Sequence, residues 1–259
     1  MITSNNNAKV KQVVQWQTKA KERRKDHVFL AEGIRMCEEA PVKNVREVYL
    51  TEELEQKIRQ NAQNGDTAFW DKLQQTGYET VSTEVFAKMA DTQTPQGILT
   101  VLEQPVYDLT QLLEQPDPLF LMLENLQDPG NLGTMIRTGE GAGITGVIMN
   151  NQTVDIFNPK TIRATMGSIF RVPFVYVPDL APVLDAALQR EDLGSVRVIY
   201  LPGRVDFSGD FRPEDTRKLD AIRQDASELF GVRLHGTSSA SGALAAAERS
   251  LTPSRDGEP

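Results

Sequence analysis

Residues 121–137 read LMLENLQDPGNLGTMIR, and two side chains in that stretch are placed to do chemistry. Asn131 is an amide at a helix start. Arg137 is a permanent cation among Met135, Ile136 and Thr138. Such a guanidinium is either a snorkelling surface group or a positioned donor for a developing negative charge or a phosphate oxygen. The elements around it must decide. The apolar run at 119–123 predicts a strand, Glu124-Asn125 ends it, and Asp128-Pro129-Gly130 makes a turn. Asn131 stands where an N-cap should, with a side chain able to satisfy a free amide. Gly133 is a poor helix former, so its presence in a first turn suggests close backbone approach. In an open α/β sheet ligands sit at the carboxyl ends of strands. This segment is therefore expected to form an active-site edge with Arg137 turned inward.

Several other chemistries find no residues. Cys37 is the only cysteine, which removes an internal disulfide and any Cys-based zinc site. His27 and His235 are the only histidines, so no metal site is expected. Gly141-Ala-Gly143-Ile-Thr-Gly146 has the form GxGxxG, but its glycines close a helix and lead into a strand. The dinucleotide fingerprint needs the reverse order; capping explains these glycines. No P-loop is present. No apolar run approaches the roughly 20 residues of a membrane helix, and the start MITSNNNAKVK lacks an apolar signal core. A cytoplasmic protein without a membrane partner is expected.

The chain has 259 residues and a net charge of −8, unevenly spread. Residues 1–35 carry eight Lys/Arg against three acids, so the remainder carries −13. Positive charge confined to one end of an acidic protein indicates either a polyanion contact there or a solvated helix face. Lys9, Lys21, Arg23, Arg24 and Lys25, with Lys11 and Lys19, make up that set.

Periodicity outlines two α/β units. Helices are predicted at 9–21, within 28–40 after a strand end, and at 52–63, 68–75 and 83–90; strands at 45–50, 78–82 and 97–102. A linker with a short helix at 109–115 follows. Strands at 119–123, 146–150 and 174–177 then alternate with helices at 131–142, 158–167 and 179–189, the pattern of a parallel sheet. The expected boundaries are residues 1–104, a linker at 105–117, a second domain at 118–203, and an irregular or disordered tail at 204–259.

The segment from Asp128 to Arg137 resembles the first signature motif of the SpoU/TrmH family of RNA ribose methyltransferases, in the SPOUT superfamily. The resemblance extends to Val154-Asp-Ile-Phe-Asn-Pro-Lys160, to Arg163-Ala-Thr-Met-Gly-Ser168, and to Val172-Pro173. At the N-terminus, Ser4-Asn-Asn-Asn7-Ala-Lys9, residues 21–25, Phe29-Leu-Ala-Glu32-Gly33 and Thr94-Pro95-Gln96-Gly97 resemble the family's small RNA-binding domain. Together these motifs span roughly residues 1–200. They imply an N-terminal α/β RNA-binding domain followed by a SPOUT-type parallel-sheet methyltransferase domain, whose knot is an exception to the usual rule. The implied cofactor is S-adenosylmethionine, the implied acceptor a ribose 2′-hydroxyl, with ribosomal RNA as substrate, and the implied assembly a homodimer. On this pattern Arg137 assists deprotonation of the 2′-hydroxyl, Asn131 positions the site, and the basic arm meets phosphates.

The same comparison predicts an incomplete C-terminus. The family's Gly-x-Glu-x-x-Gly loop and its Pro-Met strand with Ser-Leu-Asn, which form most of the cofactor pocket and much of the dimer interface, have no counterpart. Leu229-Phe-Gly-Val-Arg-Leu-His-Gly236 lacks the Glu, and Ala245-Ala-Ala-Glu-Arg-Ser-Leu-Thr-Pro253 only echoes the second motif. Cofactor-binding residues are therefore unassigned, and the knot is expected to remain open. Residues 1–189 contain eleven Asn and residues 190–259 none; Lys falls from ten to one while Arg goes from eight to nine. A frameshift into a GC-rich frame, a truncation and a natural disordered tail all fit. The alternative function is a non-catalytic RNA-binding protein.

Overall fold

The computed structural model describes residues 1–188 and 197–201. Expectations about the tail, the absent C-terminal motifs and closure of the knot lie outside the described residues. Contacts divide the chain into two units. The first joins residues 1–106 with Pro129–Gly133 and Asp155–Arg171; the second joins Tyr107–Asp128, Thr134–Val154 and the described residues from Val172 onward.

The first unit opens with α1 (Ala8–Thr18) and α2 (Ala20–Asp26) rather than the single helix expected over 9–21. Thr18 explains part of the break: its hydroxyl donates to the Val14 carbonyl at 2.8 Å, a back-bond that weakens a helix locally. Lys19 then turns to an extended conformation. Asn7 caps α1 through the Lys9 amide. A four-stranded sheet follows, ordered β1 (Val28–Glu32), β4 (Ile98–Glu103), β2 (Val45–Thr51) and β3 (Glu79–Val81). β4 runs antiparallel to both neighbours, and β3 is parallel to β2. Alternation splits the core. Val28, Leu30, Tyr49, Leu99 and Val101 pack with Val10, Val13 and Trp16. Val48, Leu50 and Ile98 pack with Leu54, Ile58, Phe69 and Leu73. The intervening helices are α3 (Ile34–Glu39), α4 (Glu52–Gln63), α5 (Ala68–Thr76) and α6 (Thr83–Met89). Thr51 and Ser82 cap α4 and α6, as their residue types favour.

All five residues of β1 are buried although it is an edge strand. Phe29 packs outward onto Phe157 at 5.0 Å and Phe170 at 6.3 Å between ring centroids. The edge is thus covered by the segment Asp155–Arg171, which guards it against pairing with another chain.

Cys37 is buried, and burial pushes its thiol up to about 12. Because thiolate is the reactive form, the folded protein should not react with Ellman's reagent at pH 8. Denaturant should release one thiol per chain, and rapid reaction without denaturant would contradict this packing.

The second unit contains α7 (Leu109–Leu113) and a parallel sheet ordered β7 (Phe174–Val177), β6 (Gly146–Asn150), β5 (Leu119–Leu123) and β8 (Arg197–Leu201). Every neighbouring pair is parallel. Strands buried on both faces read as continuous apolar runs, which is why residues 119–123 and 147–149 show no alternation. Phe120, Met122, Ile148, Val175 and Val177 pack with Leu112, Leu180 and Val183. The helices are α8 (Pro129–Gly141), which links β5 to β6, and α10 (Ala181–Leu188); α9 (Pro159–Thr165) belongs to the first unit. The glycines at 141 and 143 do close α8, with Gly143 at φ +73°, so the GxGxxG match is capping.

Candidate active site

The carboxyl ends of β5 and β6 are locked together by side-chain amides. Asn125 leaves β5 in a left-handed conformation, φ 53°, one that Asn adopts more readily than most residues. Its backbone N–H donates to Asn150 Oδ1 at 2.9 Å, and Asn150 Nδ2 donates back to Asn125 Oδ1 at 2.8 Å. Thr153 Oγ1 contacts both Asn150 Oδ1 at 2.8 Å and the Leu123 carbonyl at 3.2 Å. Asn150 and Thr153 are buried. Gln127 Nε2 donates to the carbonyls of Gln152 and Asn125, and the Val154 amide donates to the Leu126 carbonyl. Two loops, 124–128 and 151–154, are therefore held as one rigid rim at the strand ends. The expectation that residues 124–125 shape a strand end identified half of this clamp. Asn150 and Thr153 were missed, though the polar run Asn150-Asn151-Gln152-Thr153 directly after an apolar strand was the available signal.

The two residues singled out on the following helix are placed differently from expectation. α8 starts at Pro129, so Asn131 is its third residue and not its N-cap; its side chain is exposed. Proline suits a first turn because its missing N–H would be unpaired there. Arg137 is exposed rather than turned inward. It has no ion pair or side-chain hydrogen bond among the described residues. Six residues of helix separate the two, which sets them roughly 120° apart around the axis; they do not share one face. Gly133 behaves as expected. A Cβ there would stand 2.5 Å from Ala164 Cβ and 2.6 Å from the Thr161 carbonyl, so only glycine lets this turn lie against α9.

The N-terminal motifs also interlock. Glu32, buried at the end of β1, accepts from the Asp91 amide at 2.8 Å and from the Thr92 hydroxyl. Gln96 Oε1 accepts from the Ile34 amide at 2.8 Å. Gly97 takes φ +84° against Thr51. These motif residues build the turn rather than present a charged surface.

Of the basic set, Lys21, Arg24 and Lys25 lie at i, i+3 and i+4 on α2 and are exposed on one face. Lys9 is exposed but pairs with Glu79, whose hydrogen bond raises its pKa. Arg23 corrects the expectation of a phosphate contact. It falls on the opposite side of α2, is 3% exposed, and donates to the carbonyls of Trp16 and Gln17 and to Asp155. A guanidinium spent on three protein acceptors is not offered to RNA. Among the described residues no cluster of His, Cys, Asp or Glu could hold a metal ion, and no helix is long and apolar enough to cross a membrane.

Comparison with known proteins matches both halves of the chain. Residues 7–100 match an MRM3-like substrate binding domain, and residues 118–199 match the SpoU rRNA methylase family. The 23S rRNA (guanosine(2553)-2′-O)-methyltransferase RlmP of Bacillus subtilis is 36% identical over 177 residues, covering 67% of this chain and 64% of that protein. The mitochondrial rRNA methyltransferase 3 of Xenopus laevis is 33% identical over 169 residues, covering 62% of this chain and 37% of its own length. This chain thus aligns with less than two thirds of either relative. Among solved structures, the AdoMet-bound rRNA methyltransferase of Sinorhizobium meliloti superposes with a TM-score of 0.68 at 23% identity, covering 97% of this chain and 98% of that one. At that identity the likeness establishes a shared fold.

Proposed function

We propose that this chain, whose residues 118–199 match the SpoU rRNA methylase family behind an MRM3-like substrate binding domain, methylates ribosomal RNA on a ribose 2′-hydroxyl. The observation that carries this reading is Arg137: an exposed guanidinium without a protein partner among the described residues, on the helix that leaves the rigid end of β5. S-adenosylmethionine supplies an electrophilic methyl group to such a reaction. The described residues fit the acceptor side better than the cofactor side. Asn125 Oδ1, both polar ends of the Asn150 amide and the Thr153 hydroxyl are engaged with one another, so they shape the rim. A guanidinium is a permanent cation in proteins, so Arg137 does not take the acceptor proton, which leaves to water. Its work is electrostatic: it holds the neighbouring phosphate and stabilises the alkoxide that develops on the 2′-oxygen. Asn131 assists in placing that backbone. Lys9, Lys21, Arg24 and Lys25 neutralise phosphates further along the RNA. A cytoplasmic homodimer is part of this proposal.

The test is incubation with unmodified 23S RNA transcript and tritiated S-adenosylmethionine. Label should appear in nucleotides resistant to alkaline cleavage, because a 2′-O-methyl group blocks that hydrolysis. Replacing Lys21, Arg24 and Lys25 together by alanine should flatten the slope of log affinity against log salt by about 2. RNA binding with no alkali-resistant label would leave a non-catalytic binder; no RNA binding at all would refute both.

A further inference from the structure

By sequence the segment Asp155–Arg171 lies inside the SpoU match, yet it packs within the first unit. Ion pairs from Arg23 to Asp155, from Asp91 to Arg163 and from Glu39 to Arg171 fasten it there. Only the first is buried on its cationic side. Arg23 Nη1 donates to Trp16 O at 2.7 Å and Gln17 O at 3.2 Å, and Nη2 donates to Asp155 Oδ2 at 2.7 Å. Asp155 continues the path. Its other carboxylate oxygen accepts from the Phe157 amide at 3.0 Å, and its carbonyl accepts from the Asn158 amide at 2.9 Å. The Asn158 side chain then caps α9 through the Lys160 amide at 2.9 Å. α9 carries Thr161 and Ala164 against Gly133, the fifth residue of the helix that bears Arg137.

Stability alone does not account for Arg23. Its Nε is buried without a partner among the described residues. A buried ion pair is often no more stabilising than a packed apolar residue, and an orphaned donor weakens it further. What the arrangement does supply is a fixed geometry between α2 and the Asn158-Pro159-Lys160 turn.

We propose that Arg23 is a positioning residue: within the first unit it couples the basic face of α2, which carries Lys21, Arg24 and Lys25, to α9 and through Gly133 to the start of α8, the helix that bears Arg137. The proposal rests on the methyl-transfer reading above. Arg23→Lys keeps the charge but cannot reach three acceptors as a fork; Asp155→Ala removes the partner at a site 21% exposed and serves if the first variant does not fold. Either variant should speed amide exchange at residues 157–162 about tenfold in the RNA-free protein, with β2 and β4 unchanged. With 23S transcript and S-adenosylmethionine, kcat should fall about tenfold while the KM for RNA stays within about twofold. Unchanged exchange at 157–162 overturns the coupling, and so does a rise in KM with kcat intact. If the wild-type chain transfers no methyl group, the functional reading fails, and the RNA-free exchange rates still decide whether the coupling exists.

Discussion

Arg137→Ala is expected to lower kcat for ribose methylation about 100- to 1,000-fold, the range found when one donor to a developing oxyanion is removed. The affinity for RNA should change little, because one phosphate contact among several contributes only part of the counterion-driven binding. The melting temperature should also stay close to wild type. Arg137 is exposed and makes no ion pair or side-chain hydrogen bond among the described residues, and exposed substitutions away from such features are usually worth within about 0.5 kcal/mol. Arg137→Lys should recover only part of the rate, since an ammonium lacks the planar fork that grips two oxygens at once. Single-turnover transfer from tritiated S-adenosylmethionine, filter binding and thermal melting measure the three quantities. A variant with wild-type kcat would return Arg137 to a surface role. Equal losses in affinity and rate would make it a binding residue only.

Asn150→Ala should have the largest effect on stability, about 2–3 kcal/mol, because it removes three hydrogen bonds at a buried position, each worth about 1 kcal/mol net. Its partners explain why the loss is concentrated there. Without Asn150 Oδ1 the Asn125 amide loses its acceptor, and the left-handed turn at Asn125 keeps the weaker support of Gln127 Nε2 on its carbonyl. The Thr153 hydroxyl keeps only its contact to the Leu123 carbonyl. Asn150→Asp should not rescue the site, since a carboxylate cannot donate to Asn125 Oδ1. Urea denaturation should show the midpoint falling in both variants. A midpoint unchanged in Asn150→Ala would mean that the rim is held by its backbone bonds alone. Any methyl transfer should fall with it, because both loops of the rim lie at the strand ends from which α8 departs.

The contrast between these two residues shows what a sequence can carry. Arg137 was recognisable from its neighbours, since a motif is local and its order along the chain survives without coordinates. Asn150 was not, because its partners lie 25 residues away at Asn125 and across the end of another strand. Arg23 shows the same limit from the other side. In a run of Lys and Arg its chemistry matches its neighbours, and only the 3.6-residue period of α2 separates it from Lys21, Arg24 and Lys25. The break after Thr18 was hidden for a related reason: no Gly or Pro marks it, and the side-chain bond to Val14 leaves no compositional trace.

The sequence by itself determined the strands and nearly all the helices of residues 1–188, the parallel character of the sheet in the second unit, the resemblance to the SpoU family, and the helix that carries Arg137. Those properties follow from periodicity, from turn residues and from short motifs, all set by near neighbours. Tertiary structure alone decided that Arg137 faces outward, that Asn131 lies inside the helix, and that Arg23 holds Asp155. It also decided that residues 155–171 belong with the first unit. Burial and pairing depend on what packs against a side chain from distant parts of the chain, and no local pattern records that.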